Sequence, residues 1–249
     1  MTRQNILITG ASSGLGKGMA IEFAKLGRNL ALCARRVERL EELKTELLAI
    51  NPNINVLISA LDVDDHDQVF AVFKAFADEM GQIDRVIVNA GMGKGASVGT
   101  GYFYANKQTA ITNFVSALAQ CEAAMQLFRG QNSGHLVTIS SVSAVRGARR
   151  AMTVYAASKA ALSSLTEGIR IDVMHTPIKV TTIHPGFIRS EINEKVKNVP
   201  FIVDTETGCK AMVKAIEKEV ASSFVPTWPW ALFRYIARIA PLSLLAKLS

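Results

Sequence analysis

The sequence predicts an α/β fold of the Rossmann type, with a doubly wound parallel sheet covered by helices on both faces in three layers. Two observations predict it. Short apolar runs rich in β-branched residues alternate with longer segments of helical spacing, and a glycine-rich turn follows the first run. Apolar strands separated by helices are typical of parallel sheets covered on both faces, and right-handed crossovers then give the doubly wound arrangement.

Each element is predicted from its own stretch of sequence. The apolar runs predict strands over 5–9, 30–34, 54–59, 85–89, 135–140 and 179–184, with a last strand at about 222–225. Helical spacing of the apolar residues predicts helices over 14–26, 37–50, 64–80 and 154–175. Ligands bind at the carboxyl ends of the strands in such a sheet. The candidate functional residues are therefore those that directly follow the apolar runs.

Length and composition limit the domain organisation. The chain has 249 residues, of which 49% are hydrophobic and 20% are charged, and this suits one large domain with a sizeable core. We expect a cofactor-binding domain over 1–225 and an apolar, basic tail over 226–249. Three widely spaced cysteines are typical of a reducing compartment, and the scattered histidines predict no metal site.

The net charge and the N-terminal sequence limit the possible binding partners and the cellular location. A net charge of +7 suits nucleic acid, an anionic membrane surface or a phosphorylated ligand. The sequence has neither a long run of Lys and Arg nor an aromatic RNA-binding motif, so nucleic acid is not expected. The first residues, MTRQNILITG, lead straight into a strand without the apolar core of a signal peptide, which favours a cytoplasmic protein.

The turn after the first strand is a candidate phosphate-binding loop. Its glycines allow a tight turn and a close approach of the backbone to a pyrophosphate, and the next helix offers free N–H groups. The alternative is an ordinary tight turn between a strand and a helix. We assign the loop to a dinucleotide, with the following residues around its phosphates: Gly10, Ser12, Ser13, Gly14, Leu15 and Gly16.

The end of the second strand predicts which dinucleotide binds. NAD-binding versions place an acid roughly 20 residues after the glycines, where it accepts a hydrogen bond from the ribose. Here the strand ends in Cys33-Ala34-Arg35-Arg36, without an acid. Guanidinium groups bind phosphate in a forked geometry, so Arg35 and Arg36 predict NADP(H). The alternative is that both arginines only open a solvated helix.

Small and polar residues follow the third and fourth strands. Asp62 and Val63 are candidates for the adenine, and the alternative is that they cap the following helix. In the next group, Asn89-Ala90-Gly91, the glycine lets the backbone pass beneath the cofactor. Asn89 is expected to brace neighbouring strands.

A tyrosine and a lysine form the strongest candidate for catalysis. Tyr155 and Lys159 are four residues apart and share one face of a predicted helix. A nearby ammonium favours the phenolate and lowers the pKa of the tyrosine, so that the phenol can exchange protons. The alternative is an ordinary pair on a helix. Ser141 ends the fifth strand and brings a hydroxyl to the same edge.

Together these residues resemble the short-chain dehydrogenase/reductase family, in its short single-domain branch. The resemblance covers about residues 5–225. It rests on motifs that occur in the family's order: TGASSGLG at 9–16, DV at 62–63, NAG at 89–91, Asn113, ISS at 139–141, YAASK at 155–159 and PG at 185–186. The family implies hydride transfer between a nicotinamide cofactor and a carbon that bears oxygen.

The resemblance also implies a role for each catalytic residue. Tyr155 is the general acid in carbonyl reduction and the base in alcohol oxidation. Lys159 bonds the nicotinamide ribose and lowers the pKa of Tyr155, while Ser141 holds the substrate oxygen. Asn113, in the middle of the long helix after the fourth strand, supports a water that relays protons to Lys159.

The family assigns the nicotinamide carboxamide to the turn after the sixth strand. Ile188, through its backbone, and Ser190 bind it, following Pro185-Gly186. Ser190 stands where the family usually has threonine, and this keeps the hydroxyl. The chain also departs at the catalytic serine, because Ser141 and Tyr155 lie 14 residues apart, one more than is usual. Ser143 is the less favoured rival for Ser141.

Substrate identity is expected to lie in the variable parts of the chain. These are the loop 92–103, the stretch 146–150, the segment 191–203 and the tail. Arg146, Arg149 and Arg150 either steer an anionic substrate or form a solvated loop. Residues 191–203 resemble the lid that closes over substrate in the family.

The tail has an unusual composition for the end of a cytoplasmic protein. It contains two tryptophans, many aliphatic residues, three positive charges and no acid. The charges and Pro241 interrupt the apolar run, which argues against a transmembrane helix. Two placements remain open: a helix lying in a membrane interface, or a helix packed on its own domain or on a partner subunit over the pocket mouth. Either placement favours an apolar substrate.

The sequence therefore predicts an NADP(H)-dependent oxidoreductase that acts on the CH–OH or C=O group of a lipid-like, steroid-like or acyl substrate. A homo-oligomer, either a dimer or a tetramer, is expected. The alternative is a non-catalytic NADP(H)-binding sensor or interaction subunit, which has no need of a tuned phenol.

Overall fold

A seven-stranded parallel sheet forms the centre of the molecule. The computed structural model describes residues 2–189 and 201–244. The strands are β1 (Asn5–Thr9), β2 (Asn29–Ala34), β3 (Val56–Ala60), β4 (Arg85–Val88), β5 (His135–Ile139), β6 (Lys179–Pro185) and β7 (Ser222–Val225). Their order across the sheet is β3-β2-β1-β4-β5-β6-β7. The order reverses between β1 and β4, so the crevice that binds ligands in this class of sheet lies at their carboxyl ends.

Helices cover both faces of the sheet. They are α1 (Gly14–Lys25), α2 (Val37–Ile50), α3 (His66–Met80), α4 (Phe103–Ala110), α5 (Ser116–Gln131), α6 (Met152–Asp172), α7 (Thr205–Glu217) and α8 (Thr227–Ile239). Within β1, Ile6 and Ile8 pack into one core layer with residues of α1, α2 and α7. Leu7 points into the other layer, with residues of α3, α5 and α6. This alternation follows from the two-residue period of a strand and confirms the predicted three-layer fold.

Most predicted boundaries lie within two or three residues of the observed ones, and the differences have local causes. Helix α3 begins at His66 and not at residue 64, because the Asp65 side chain accepts a hydrogen bond from the Gln68 backbone N–H and caps the helix. The alternative for Asp62 and Val63, that they cap this helix, is therefore wrong. The Asp62 carboxylate instead accepts from the Asp64 N–H at 3.2 Å.

The long helix expected after the fourth strand is interrupted. Helix α4 ends at Ala110, a π-helical turn covers Ile111–Val115, and α5 continues from Ser116. Such π turns are rare and occur frequently at functional positions. Asn113 lies within this turn and is fully buried.

Candidate active site

The glycine-rich loop between β1 and α1 has the geometry of a phosphate cradle. Gly10 and Gly14 have φ angles of +64° and +54°, in the left-handed region that favours glycine. A Cβ added at Gly16 would overlap the Gly10 carbonyl oxygen and lie 2.7 Å from Asn89 Nδ2. The loop therefore leaves room for backbone alone. Since a dinucleotide needs this close approach, the loop fits the predicted group.

Asn89 joins this loop to the neighbouring strand. Its Nδ2 donates to the carbonyl oxygens of Thr9 at 2.9 Å and Gly10 at 3.3 Å. The Thr9 hydroxyl oxygen in turn accepts from the backbone N–H groups of Asn89 and Ala90. The expected bracing role of Asn89 thus corresponds to a network that ties the ends of β1 and β4 together at the crevice.

The two arginines after β2 differ in placement. Arg35 is exposed, whereas Arg36 is half-buried. The Arg36 Nη2 donates to Ser13 Oγ at 2.7 Å and to Ser12 Oγ at 3.3 Å. The guanidinium of Arg36 is thus held over the serines of the phosphate loop and does not simply open a solvated helix. Asp62 and Val63 follow β3, and Val63 is buried.

A buried amide connects the segment after the fourth strand to helix α6. Asn113 Nδ2 donates to the Met92 carbonyl oxygen at 2.8 Å, and its Oδ1 accepts from the Met92 N–H at 2.8 Å. The same Nδ2 lies 3.3 Å from Ser158 Oγ on α6. A Cβ added at Gly91 would lie 3.1 Å from Asn113 Oδ1 and 3.4 Å from Lys159 Nζ. The backbone of Gly91 therefore lies between the Asn113 amide and the Lys159 ammonium, close to both.

The predicted catalytic residues converge at the carboxyl edge of the sheet. Ser141 is buried at the start of a 3₁₀ turn, Val142–Val145, and its hydroxyl bonds the hydroxyl of Tyr155 on α6. Lys159 lies one turn further along α6 and is buried. Its Nζ donates to the Ile139 carbonyl oxygen at 2.8 Å. The structure thus brings Ser141, Tyr155 and Lys159 to one place.

The electrostatics of this group differ from the expectation. Burial raises the pKa of Tyr155 above its ordinary value, and the hydrogen bond from Ser141 opposes the rise. Burial lowers the pKa of Lys159 to about 8. The expected lowering of the Tyr155 pKa by Lys159 is not found, because the lysine Nζ is directed to the Ile139 carbonyl and the phenol is desolvated.

Several supporting residues were not predicted. The Ser140 hydroxyl donates to the Lys159 carbonyl oxygen at 3.0 Å and bonds Ser163 Oγ at 2.7 Å, so it fixes α6 against β5. His184 stacks on Phe224 with centroids 4.5 Å apart, and its Nδ1 lies 3.3 Å from the Ser141 carbonyl oxygen. Ser140 lies within the ISS motif and Ser158 within the YAASK motif, so their positions in these motifs could have indicated a supporting role. Nothing local marked His184.

The turn after β6 is held by the C-terminal helix. Pro185 ends β6, and a Cβ added at Gly186 would overlap the indole of Trp230 on α8. Ile188 is buried and forms an isolated parallel bridge with Val203. Ser190 and residues 191–200 of the predicted lid, 191–203, lie outside the described residues.

The inner face of α8 packs on its own domain. Trp230 and Ala237 are buried, and Trp230 shares an apolar cluster with Val142 and Phe224. Arg146, in the loop between Ser141 and Tyr155, donates to the Arg238 carbonyl oxygen. Of the two placements left open for the tail, packing on the domain describes this face. Across residues 2–189 and 201–244, we find no helix of the length and apolarity that a membrane crossing needs.

The fold and the site define an NAD(P)-binding oxidoreductase of the Rossmann type. A family model described as "short chain dehydrogenase" matches residues 4–200, and the chain belongs to the short-chain dehydrogenase/reductase family. This confirms the fold and the family predicted from sequence.

The relatives include both characterised and uncharacterised proteins. An uncharacterized oxidoreductase of Mycobacterium tuberculosis is 54% identical over 231 residues, which are 93% of this chain and 91% of the relative. An NADP-dependent 3-hydroxy acid dehydrogenase of Schizosaccharomyces pombe is 33% identical over 192 residues, 76% of this chain and 73% of the relative. A solved short chain dehydrogenase/reductase from Burkholderia phymatum in complex with NAD has a TM-score of 0.85 at 21% identity, covering 98% of this chain and 96% of that chain. The last comparison shows the fold alone.

Proposed function

We propose that the protein is an NADP(H)-dependent oxidoreductase that interconverts a carbonyl and an alcohol on an apolar substrate. The observation that supports it is the grouping of a serine, a tyrosine, a lysine and an asparagine beside the phosphate loop. The residues are Ser141, Tyr155, Lys159 and Asn113. They place a proton donor, a cation and a fixed amide at the edge of the sheet where a dinucleotide binds.

The proposed chemistry divides between cofactor and protein. The nicotinamide cofactor supplies or accepts the hydride. Tyr155 gives its phenolic proton to the carbonyl oxygen in reduction and takes it back in oxidation. The Ser141 hydroxyl, already bonded to Tyr155, holds the same oxygen. Since the pKa of Lys159 is about 8, its ammonium persists at neutral pH and places a positive charge one helical turn from Tyr155, beside the site assigned to the cofactor.

The cofactor preference for NADP(H) is supported by Arg36. Its guanidinium is held at the phosphate loop by Ser12 and Ser13, where a 2′-phosphate would gain charge-assisted hydrogen bonds. Arg35 is exposed beside it and adds positive charge. The relative from Schizosaccharomyces pombe is NADP-dependent by name, whereas the Burkholderia structure holds NAD. The proposal therefore rests on the arginines of this chain.

An apolar substrate is supported by what surrounds the catalytic serine. The 3₁₀ turn that follows Ser141 contributes Val142 and Val145 to an apolar cluster with Phe187 and Trp230. The cluster joins the serine loop to the turn after β6, which the family resemblance assigns to the nicotinamide. A lipid-like, steroid-like or acyl carbonyl compound suits such apolar surroundings, because binding then buries apolar surface.

We include in this proposal that the outer face of α8 contacts an anionic lipid bilayer. Large apolar side chains along this face are half or more exposed: Trp228, Leu232, Tyr235, Ile236 and Ile239. From Leu232 to Ile239 they recur at the spacing of one helical stripe, and Trp228 precedes them at a kink where its backbone is not helical. The nearby charges are all basic, since the sequence has no acid between residues 220 and 249. Apolar and aromatic residues beside arginines are the composition of an interfacial helix.

The decisive test of the function is NADPH consumption over a mixed panel of aldehydes, ketones and 3-oxoacyl thioesters. We expect Tyr155→Phe to lower turnover of the best substrate by roughly 10²- to 10⁴-fold, because the proton donor is lost. NADPH binding should change less than about threefold. Tyr104→Phe, at an exposed tyrosine on α4, is the matched control. A Tyr155→Phe protein that turns over normally would refute the assignment.

The panel also separates the enzyme from a non-catalytic NADP(H)-binding sensor. A sensor would bind NADPH without consuming it on any member of the panel. The complete set of proton-transfer residues disfavours this alternative, since a sensor gains nothing from a serine bonded to a half-buried tyrosine. The expected homo-oligomer, a dimer or a tetramer, stays a prediction.

A further inference from the structure

Trp230 occupies an unusual position at the junction of several segments. It belongs to α8, yet its indole lies against Gly186 closely enough that any Cβ there would overlap the ring. Its ring also meets Phe187 edge-on, with centroids 5.3 Å apart, and Phe201 at 6.2 Å. One buried side chain of the C-terminal helix therefore touches both flanks of the segment 190–200 and the turn that ends β6.

The same indole is linked to the loop of the catalytic serine. Trp230 shares its apolar cluster with Val142 and Val145 of the 3₁₀ turn that begins after Ser141. Its Nε1–H is buried and has no hydrogen-bond partner among the described residues. An unsatisfied buried donor costs free energy, so the N–H does not stabilise this packing. A phenylalanine would keep an aromatic ring here without that cost, and the packing of the ring is therefore the part that matters.

The other tryptophan of the chain provides an internal contrast. Trp228 is 72% exposed and Trp230 is 4% exposed, although both lie on α8. Trp230 is therefore the tryptophan through which this helix contacts the region of the proposed site. Trp228 belongs to the outer face.

We propose that Trp230 is a positioning residue for the reaction. Its indole fixes the Gly186–Phe187 turn against the loop that carries Ser141, so α8 sets the distance between the nicotinamide-binding backbone and the hydroxyl that holds the substrate oxygen. This inference rests on the proposed function. It assigns to the C-terminal helix a direct part in aligning cofactor and substrate.

The test compares Trp230→Ala and Trp230→Phe with Trp228→Ala as the matched control. Each folded protein is titrated with NADPH, followed by the emission of the bound nicotinamide, and its kcat and KM are measured on the best substrate of the panel. For Trp230→Ala we expect a dissociation constant for NADPH at least tenfold higher at unchanged stoichiometry, with a lower kcat. Trp230→Phe should stay within about threefold of the wild type in both, and Trp228→Ala should not change either.

The stoichiometry separates positioning from mere stability. A purely structural role would reduce the fraction of protein that binds NADPH and lower the melting temperature, but would leave the dissociation constant and kcat per binding site unchanged. That result would overturn the proposal while the proposed function stands. A wild-type protein that binds no NADPH would overturn the proposed function, and this inference with it.

A second pair of variants covers the case in which Trp230→Ala does not fold. Gly186→Ala displaces the indole without deleting it, because its Cβ overlaps the ring. We expect Gly186→Ala and Trp230→Leu each to weaken NADPH binding, and the double variant to bind about as well as Trp230→Leu alone, since the overlap is then removed. Such non-additivity is the signature of a direct contact. Losses that multiply would show that Gly186 is needed for another reason, and the proposal would fall.

Discussion

Arg36 shows how much depends on where one guanidinium lies. Arg35 and Arg36 are indistinguishable in sequence as candidates for a 2′-phosphate, yet only Arg36 is turned back onto Ser12 and Ser13. Two hydroxyl acceptors hold it in place before any ligand arrives. A pre-positioned guanidinium loses less conformational entropy when it binds phosphate, so we assign most of the discrimination to Arg36.

We expect Arg36→Ala to weaken NADPH binding by roughly 10- to 100-fold, the equivalent of one or two charge-assisted hydrogen bonds. NADH binding should change less than about threefold, because NADH lacks the 2′-phosphate. Arg35→Ala should have a smaller effect in the same direction. Titration of each variant with both cofactors measures this, with Lys74→Ala on the exposed surface of α3 as the control for net charge. Equal losses for NADPH and NADH would contradict the assignment.

The Tyr155 pKa marks the limit of prediction from residue spacing. The four-residue separation correctly placed Tyr155 and Lys159 on one helix face, but spacing does not say where a flexible ammonium points or how dry the phenol is. In the structure the ammonium bonds the Ile139 carbonyl oxygen, and burial dominates the tyrosine. Both facts depend on the packing of α6 against β5, which is a tertiary property.

At the scale of elements, the strands could be predicted from the sequence, whereas the π turn and helix α7 could not. The runs that became β1, β4 and β5 were predicted within one residue, because strands buried on both faces are continuous apolar stretches. The π turn Ile111–Val115 has no such signature, since it changes the hydrogen-bonding pattern and not the composition. Helix α7 was not among the predicted helices.

Helix α8 could be predicted only in part, because it is apolar on two faces. The inner stripe contains Trp230 and Ala237, and the outer stripe contains Leu232, Ile236 and Ile239. A sequence that is apolar all round does not say which face the domain covers. Only the tertiary contacts with the cluster around Val142 assign the inner face.

The outer stripe of α8 leads to a prediction about membranes. We expect the protein to sediment with phosphatidylcholine vesicles that contain about a quarter phosphatidylglycerol, to bind pure phosphatidylcholine weakly, and to be released by high salt. Replacing Ile236 and Ile239 by Glu should lower binding at least tenfold, since two exposed apolar side chains are lost.

Leu26→Glu is the matched control, because Leu26 is 49% exposed and Ile236 is 50% exposed. It should leave vesicle binding unchanged. If the wild type does not sediment and the Ile236→Glu, Ile239→Glu variant instead changes the oligomeric state in solution, the stripe is covered by a second copy of the chain. The proposal of bilayer contact would then be wrong.

At the scale of the molecule, the two ends of the strands differ in function. The proposed site lies at the carboxyl ends. A series of buried hydrogen bonds at the amino ends joins four segments. Arg85 Nε donates to His135 Nδ1 at 2.9 Å, and His135 Nε2 therefore carries the proton that bonds Thr181 Oγ1 at 2.8 Å. The Thr181 hydroxyl donates to the Val220 carbonyl oxygen at 2.6 Å. Arg85 also pairs with Glu217 at the end of α7.

The hydrogen bonds from Arg85 through His135 to Thr181 require a neutral His135. The stability of the whole sheet is therefore sensitive to acid. Burial, and then the charges of Arg85 and Arg3, hold the pKa of His135 well below 6.5. Burial likewise lowers the pKa of His184 to about 4, against a hydrogen bond with the Ser141 carbonyl that raises it. The unfolded chain therefore binds more protons than the folded one below pH 6.5, and the free energy of unfolding falls as the pH falls.

For His184 the cost should be about 1.5 kcal/mol of stability between pH 6.5 and pH 5, and His135 should add a cost in the same direction. Urea unfolding at several pH values in this window measures the slope, above the range in which carboxylates titrate. We expect His135→Gln to remove about half of it, because the variant keeps an amide in this series of hydrogen bonds but has no proton to gain. His175→Gln, at an exposed histidine, should leave the slope unchanged. A His135→Gln protein whose stability falls as steeply as that of the wild type would show that the acid sensitivity arises outside the amino ends of the strands.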